Sequence, residues 1–306
     1  MPAANVTQVA PSIEGANARL QKLGAILVGP AVALVVAVNV LPAFFGFYSS
    51  LRKIFFFTDE GFVGLDNFAS ILSDANTYAV IGRSLVFTFG SLALSIPLAL
   101  MAALLVRQLG RNGRIFLTML LVPWAMSPIV VALLWKWILL PSPGGLLASI
   151  FIAFGWSPIA PLTDPAAAMP TIIAIGVWRN FAFAAIILTA GLGQIPNDLY
   201  KAAAVDGLTV FERFWRITLP LLTPSLLIVL CVLTISYFNE VQIIIGLTGG
   251  GPINATTTLA YQLYQTGFVE LDQGRGNAIA VIMFLINTGL VVAYVRLLGG
   301  GRGERA

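Results

Sequence analysis

Charged residues are so sparse along this chain that the uncharged stretches between them read directly as structural elements. Six stretches are predominantly apolar and about 20 residues or longer, enough to cross the hydrocarbon core of a bilayer as a helix. They are Leu23–Leu51, Ser84–Val106, Ile115–Trp135, Met169–Leu192 (interrupted by Arg179), Ile217–Asn239 and Gly276–Val295. With no water to satisfy exposed amides, each must close its backbone hydrogen bonds internally, which predicts helices. Pro30, Pro42, Pro97, Pro123 and Pro128 fall inside these stretches, where they kink or end a helix without disqualifying it in lipid. Two further uncharged stretches read differently. Trp137–Thr163 is broken by Pro141, Pro143, Gly144 and Gly145 and closed by Pro158 and Pro161, which leaves only Leu146–Trp156, too short to span and read as an interfacial helix. Val241–Val269 carries Gly249, Gly250, Gly251, Pro252 and a run of threonines, and reads as a loop. The pattern predicts an all-α polytopic membrane protein with six transmembrane helices over 23–297, flanked by tails at 1–22 and 298–306.

Composition excludes the soluble alternative. Of 306 residues, 58% are hydrophobic and 10% charged, with a mean hydropathy of +0.91, whereas soluble domains carry about 25% charged residues. Histidine is absent and Cys231 is the single cysteine, so zinc sites, haem ligation, Ser-His-Asp triads and disulfide frameworks have no material; no catalytic or metal site is predicted. Cys231 reads as a buried small hydrophobe in the fifth span. The net charge of +4 reads as membrane topology rather than nucleic-acid binding. With both termini on one side, that side holds Arg19, Lys22, Arg107, Arg111, Arg114, Lys201, Arg213, Arg216, Arg296, Arg302 and Arg305, against Arg52, Lys53, Arg83, Lys136 and Arg275 opposite. The positive-inside rule then puts both termini in the cytoplasm, with the cluster Arg107, Arg111 and Arg114 as an orientation signal. The first 18 residues, small and polar, read as a disordered cytoplasmic tail without a secretory leader. The run Phe55-Phe56-Phe57 reads as lipid-facing or interfacial anchors.

One connection on the cytoplasmic side, 194–220, is long and patterned. After Pro196, Asn197 or Asp198 can cap a short helix that Ala202, Ala203 and Ala204 propagate, and Gly207 supplies a left-handed stop. Thr209 and Glu212 are spaced as a capping box that starts a second helix running into the fifth span. A helix, a glycine turn and a helix therefore project from the membrane, the first arm with a small-residue surface that suits close approach to another protein.

Ala202, Ala203, Gly207, Ile217, Leu219 and Pro220 fall at the spacings of the EAA loop of ABC importer permeases, and Asp206 matches the Asp-Gly common in the sugar branch. Phe62-Val63-Gly64-Leu65-Asp66-Asn67-Phe68, Pro123, Trp135-Lys136-Trp137, Gly145-Leu146, and Leu247–Pro252 with Thr256, Thr258 and Tyr264 resemble further motifs of the family. From about Ile26 onward the chain resembles the MalF/UgpA-like carbohydrate importers, binding-protein-dependent inner-membrane components. Lys201 stands where the family usually has Glu, and Leu208 where it usually has a small residue.

The resemblance implies a type I ABC importer permease fold with a cytoplasmic coupling helix, in the prokaryotic inner membrane. It implies a second permease, two cytoplasmic ATP-binding subunits and a periplasmic or extracellular solute-binding protein as partners. No cofactor is implied in this chain: it lacks a G-x-x-x-x-G-K-[ST] phosphate loop, so ATP and magnesium would be bound by the ATPase subunits. Lys201, Ala202, Ala203, Asp206, Gly207 and Pro220 are then the ATPase-coupling residues. The solute path, for a carbohydrate or related polar solute, is expected among the few polar or stacking groups in the spans: Trp178, Arg179, Asn180, Tyr237, Asn239, Glu240, Gln242 and Asn287. An ion-coupled secondary transporter is the alternative. It would need carboxylates within the spans, and only Glu240 approaches that position, at a span end.

Overall fold

The computed structural model describes residues 27–299; the predicted tail over 1–22, and residues 300–306 of the second, lie outside them. Five described helices are long and apolar enough to cross a membrane. The first, α1 (Leu27–Ser50), leads into a hairpin of β1 (Arg52–Phe55) and β2 (Thr58–Phe62) and a short α2 (Asp66–Ser73). The second is α3 (Ala75–Leu109), followed by α4 (Arg111–Leu120), α5 (Val122–Ala125), α6 (Pro128–Ile138) and α7 (Leu146–Ala153). Then come the spanning α8 (Pro165–Gly193), the short α9 (Asn197–Val205) and the spanning α10 (Val210–Phe238). Two short helices, α11 (Gln242–Leu247) and α12 (Leu259–Tyr264), precede the last spanning helix, α13 (Gln273–Gly299).

The third predicted span, Ile115–Trp135, is not one helix. Met126 and Ser127 are extended, with ψ of 145° and 135°, because the ring of Pro128 disfavours helical backbone at the residue before it. The segment still runs from one face of the molecule to the other. Gly113 in α4 rests on the backbone of Val106 near the end of α3, while Lys136 and Leu139 share a cavity with Leu247 and Thr248 beyond the far end of α10. Prolines also shape two unbroken helices: the wide turns Val36–Val40 and Phe214–Thr218 each close just before a proline, Pro42 and Pro220. Widening the turn relieves the clash of a proline ring with the carbonyl four residues back.

The stretch Val241–Val269, read as a loop, instead contains α11, α12 and a wide turn over Gln265–Val269. Ile243, Ile244, Leu247 and Leu259 are buried, so these short helices plug the end of the bundle. The hairpin of β1 and β2 was not legible either. Its turn places Phe56 and Phe57 at φ of +49° and +60°, positions usually taken by Asn-Gly, so the sequence carries no turn signal. Arg52 donates to Asp59 at 2.6 Å across the strands, and with the Gly61 amide it holds the Asp59 carboxyl below the usual carboxylate range.

The core lies where α3, α8 and α10 meet, with Phe87, Ile172, Leu188, Leu222, Leu233 and Tyr237 fully buried. Close approach of α8 to α10 depends on Gly191: a Cβ there would sit 2.2 Å from Ser225 Oγ. By contrast, the apolar side chains of α1 are exposed throughout, and the helix rests mainly on α13. The two ends of α3 define the two faces of the molecule. At its start, Arg83 donates to the Thr257 carbonyl and Ser84 Oγ accepts from the Leu259 amide. At its other end, Arg107 meets α9.

Candidate functional site

The patterned connection after α8 folds into a compact, self-terminated unit. Pro196 (ψ 133°) turns the chain, and α9 begins directly at Asn197. The N-cap position is therefore Pro196, and neither Asn197 nor Asp198 caps the helix. At the other end, the Gly207 amide donates to the Ala204 carbonyl and the Leu208 amide to the Ala203 carbonyl, at 3.2 and 2.9 Å. This paired pattern needs a left-handed residue directly after the C-cap, and Gly207, following Asp206, supplies it at φ +79°. Thr209 then caps α10: Glu212 N–H donates to Thr209 Oγ1, and Thr209 N–H donates to Glu212 Oε2 at 2.9 Å. The spacing-predicted capping box is thus present in full.

Of the six coupling candidates, Ala203 is buried against the bundle, while Lys201, Ala202, Asp206, Gly207 and Pro220 are exposed. Val205 is 88% exposed beside them, so α9 presents a free small-residue face away from the bundle. Lys201 pairs with Asp198 at 2.9 Å on that face, both side chains largely solvated, an arrangement that contributes little stability.

Sequence reasoning missed what holds α9 in place. Arg107, at the end of α3, donates to Asn197 Oδ1 at 2.9 Å and to the Tyr200 hydroxyl at 3.1 Å, and its guanidinium lies 4.5 Å from the Tyr200 ring centroid. The Tyr200 hydroxyl in turn bonds Thr218 Oγ1 at 3.0 Å, in the wide turn of α10. α9 is therefore bolted to the second spanning helix, α3, as well as to α8 and α10. The only sequence signal was Arg107 itself, which the basic cluster absorbed as an orientation marker.

The expected solute-path residues separate into groups. Tyr237 is a core residue, 1% exposed: its hydroxyl shares a hydrogen with Ser95 Oγ at 2.6 Å, and its ring packs edge-on against Phe87. Asn180 is also buried, donating to the Gly176 carbonyl and accepting from Arg179. Neither lines an open path within this chain: Tyr237 is spent on joining α3, α8 and α10, and Asn180 on hydrogen bonds within α8. Tyr237→Phe tests this placement: it strands Ser95 and should cost about 1–3 kcal/mol of stability in a denaturation experiment, with solute KM unchanged. Trp178 packs edge-on against Trp135, with centroids 5.5 Å apart. Arg179 and Glu240 are not within ion-pair distance of each other. Glu240 instead accepts from the Ile243 amide at the start of α11, and Gln242 is exposed. Asn239 and Asn287 are brought together, lining one cavity of about 440 Å³ between α10 and α13 with Ile235, Met283 and Phe284. Asn287 Oδ1 is buried there without a partner among the described residues. Cys231 is half-buried rather than buried.

Comparisons with known proteins agree with this architecture. The chain is 35% identical over 283 residues to the trehalose/maltose transport system permease protein MalF of Thermococcus litoralis, covering 91% of this chain and 94% of that one. It is 34% identical over 275 residues to the sn-glycerol-3-phosphate transport system permease protein UgpA of Agrobacterium fabrum, covering 89% and 93%. Among solved structures, a bacterial ABC transporter involved in import of the acidic polysaccharide alginate superposes with a TM-score of 0.77 at 22% identity, covering 91% of this chain and 95% of that one. At that identity the likeness speaks for the fold alone. Residues 95–298 match the family model for the inner membrane component of binding-protein-dependent transport systems, and this chain belongs to that family, the multi-pass permeases of ABC importers.

Proposed function

We propose that this chain, paired with a second permease, forms the translocation path for a carbohydrate or a related polar solute delivered by an external solute-binding protein. Two cytoplasmic subunits bind ATP and magnesium and drive the cycle, and the chain itself catalyses no reaction. In this reading α9 and both termini face the cytoplasm, in line with the charge bias of the loops. The observation that carries the reading is α9 itself, a rigid peg with a free small-residue face, closed by Gly207 and fastened at Arg107 and Thr218.

A peg seated in an ATPase cleft passes closure of that cleft to the spans it is bolted to. ATP then biases an equilibrium between inward- and outward-open states, because it favours one of them. Lys201, Ala202, Ala203, Asp206, Gly207 and Pro220 form the coupling unit. Asn239 and Asn287 are the path residues that an open cavity favours. The named relatives move trehalose and maltose or glycerol 3-phosphate, which makes polyhydroxylated solutes the first to test.

Reconstitution with the cognate partners in proteoliposomes supplies that test. Uptake of one of these solutes should require ATP and the binding protein. Uptake driven by a sodium or proton gradient without ATP would overturn the reading in favour of a secondary transporter. Lys201 adds a finer prediction: it should face an acidic residue in the ATPase groove. Lys201→Glu should weaken ATPase association severalfold, and less so at high salt, where exposed charges are screened. Unchanged assembly and transport would show that the charge is not used.

A further inference from the structure

A cavity of about 420 Å³ opens at the base of α9, between the last turn of α3 and the first turns of α10. Arg107 and Arg213 both line it, and no aspartate or glutamate does. Neither arginine is within ion-pair distance of a carboxylate among the described residues. Arg107 spends its hydrogen bonds on neutral acceptors, Asn197 and Tyr200, and Arg213 Nε makes a single long bond of 3.4 Å to the Thr209 carbonyl. Two uncompensated positive charges beside one cavity repel each other unless an anion lies between them. The rest of the wall is mixed: Leu104, Val210 and Phe214 supply apolar surface, and Gln108, Tyr200 and Thr218 supply neutral polar groups. Next to it, Phe211 and Trp215 are exposed by 71% and 52%, as aromatic side chains are at a membrane–water boundary.

We propose that this cavity binds a phosphate group, held between Arg107 and Arg213. Guanidinium groups suit phosphate oxygens, which they meet with paired, charge-assisted hydrogen bonds. The chemistry is shared by the headgroup of an acidic phospholipid, whose acyl chain would run along Leu104 and Phe214, and by free phosphate. Because Arg107 also fastens α9 through Tyr200, a phosphate bridging the two arginines ties the end of the second span to the start of the fifth and stiffens the mount of the coupling helix. This consequence rests on the coupling role proposed above, whereas the binding site does not.

The assembled transporter in nanodiscs provides the test. Native mass spectrometry should show preferential retention of phosphatidylglycerol over phosphatidylcholine, and Arg213→Gln should weaken that retention about fivefold, the effect of removing one basic group near the surface. Arg213→Lys should restore most of it, which separates lost charge from lost folding. Adding inorganic phosphate to phosphatidylcholine nanodiscs distinguishes the sources: phosphate retained by the wild type and lost in Arg213→Gln supports the site with a free anion as its occupant. Equal retention of phosphatidylglycerol by wild type and Arg213→Gln, or no binding of either probe above the phosphatidylcholine background, overturns the proposal. If the probes bind as expected but ATP hydrolysis does not respond to solute, the coupling reading fails and the site stands.

Discussion

Gly207→Val should reduce solute-stimulated ATP hydrolysis by the reconstituted transporter at least tenfold while leaving the spans inserted. Gly207 sits at φ +79° with both helix-closing hydrogen bonds running through and just beyond it. A β-branched residue held in that region costs about 1–3 kcal/mol, equivalent to roughly a 5- to 150-fold shift between ordered and disordered forms of the turn. The nine-residue α9 has little stability of its own, since isolated helices under about 12 residues are marginal in water. Loss of the turn therefore unseats the peg. Gly207→Asn, which tolerates left-handed backbone, should retain most of the stimulation. The turn lies outside the hydrophobic segments, so membrane yield and protease protection of the spans should match the wild type. Retained stimulation in Gly207→Val would show that the turn does not matter for coupling.

Arg107→Ala should produce the second large effect. It removes two hydrogen bonds from a charged donor and a cation–π contact, worth at most about 1.5–3 kcal/mol per bond net of exchange with water and about 0.5–1 kcal/mol for the stacking. With α9 released from α3, solute-stimulated hydrolysis and transport should fall about tenfold together. Tyr200→Phe keeps the stack but loses the hydroxyl that joins Arg107 to Thr218, and should give a smaller deficit. A double-mutant cycle with Thr218→Val checks the linkage: the combined loss should be less than the sum of the single losses. Strictly additive losses would mean that Tyr200 and Thr218 act separately.

The parts of this molecule that follow local rules were legible in its sequence. Charge-free windows located five spanning helices, although the helices around Ser84–Val106 and Ile217–Asn239 begin nine and seven residues earlier, at Ala75 and Val210. Asp74 caps the first of these through the Asn76 amide and Thr209 the second, so both starts are set by side-chain caps rather than by hydrophobicity. Gly207 and the Thr209–Glu212 box were read correctly because the chemistry of a helix end is encoded within a few residues. The break at Met126–Ser127 was underread: Pro123 and Pro128 were visible, but tolerance of proline in lipid says nothing about whether a given pair bends a helix or divides it. Interactions between distant residues were not legible at all. Tyr237 looked like a sugar-stacking aromatic until Ser95, 142 positions away, proved to be its partner. Arg107 looked like one charge in a basic cluster until α9 folded against it.

In the function proposed above, α9 engages a nucleotide-hydrolysing subunit on the cytoplasmic side. Val205 is the most direct place to test it, since its side chain is 88% exposed on the free face of the helix. In a Cys231→Ser background, a Val205→Cys variant carrying a benzophenone maleimide should, on illumination of the assembled transporter, form a covalent adduct with the ATPase subunit. Absence of that adduct, with the reagent instead reaching position 205 from outside intact cells, would contradict the account.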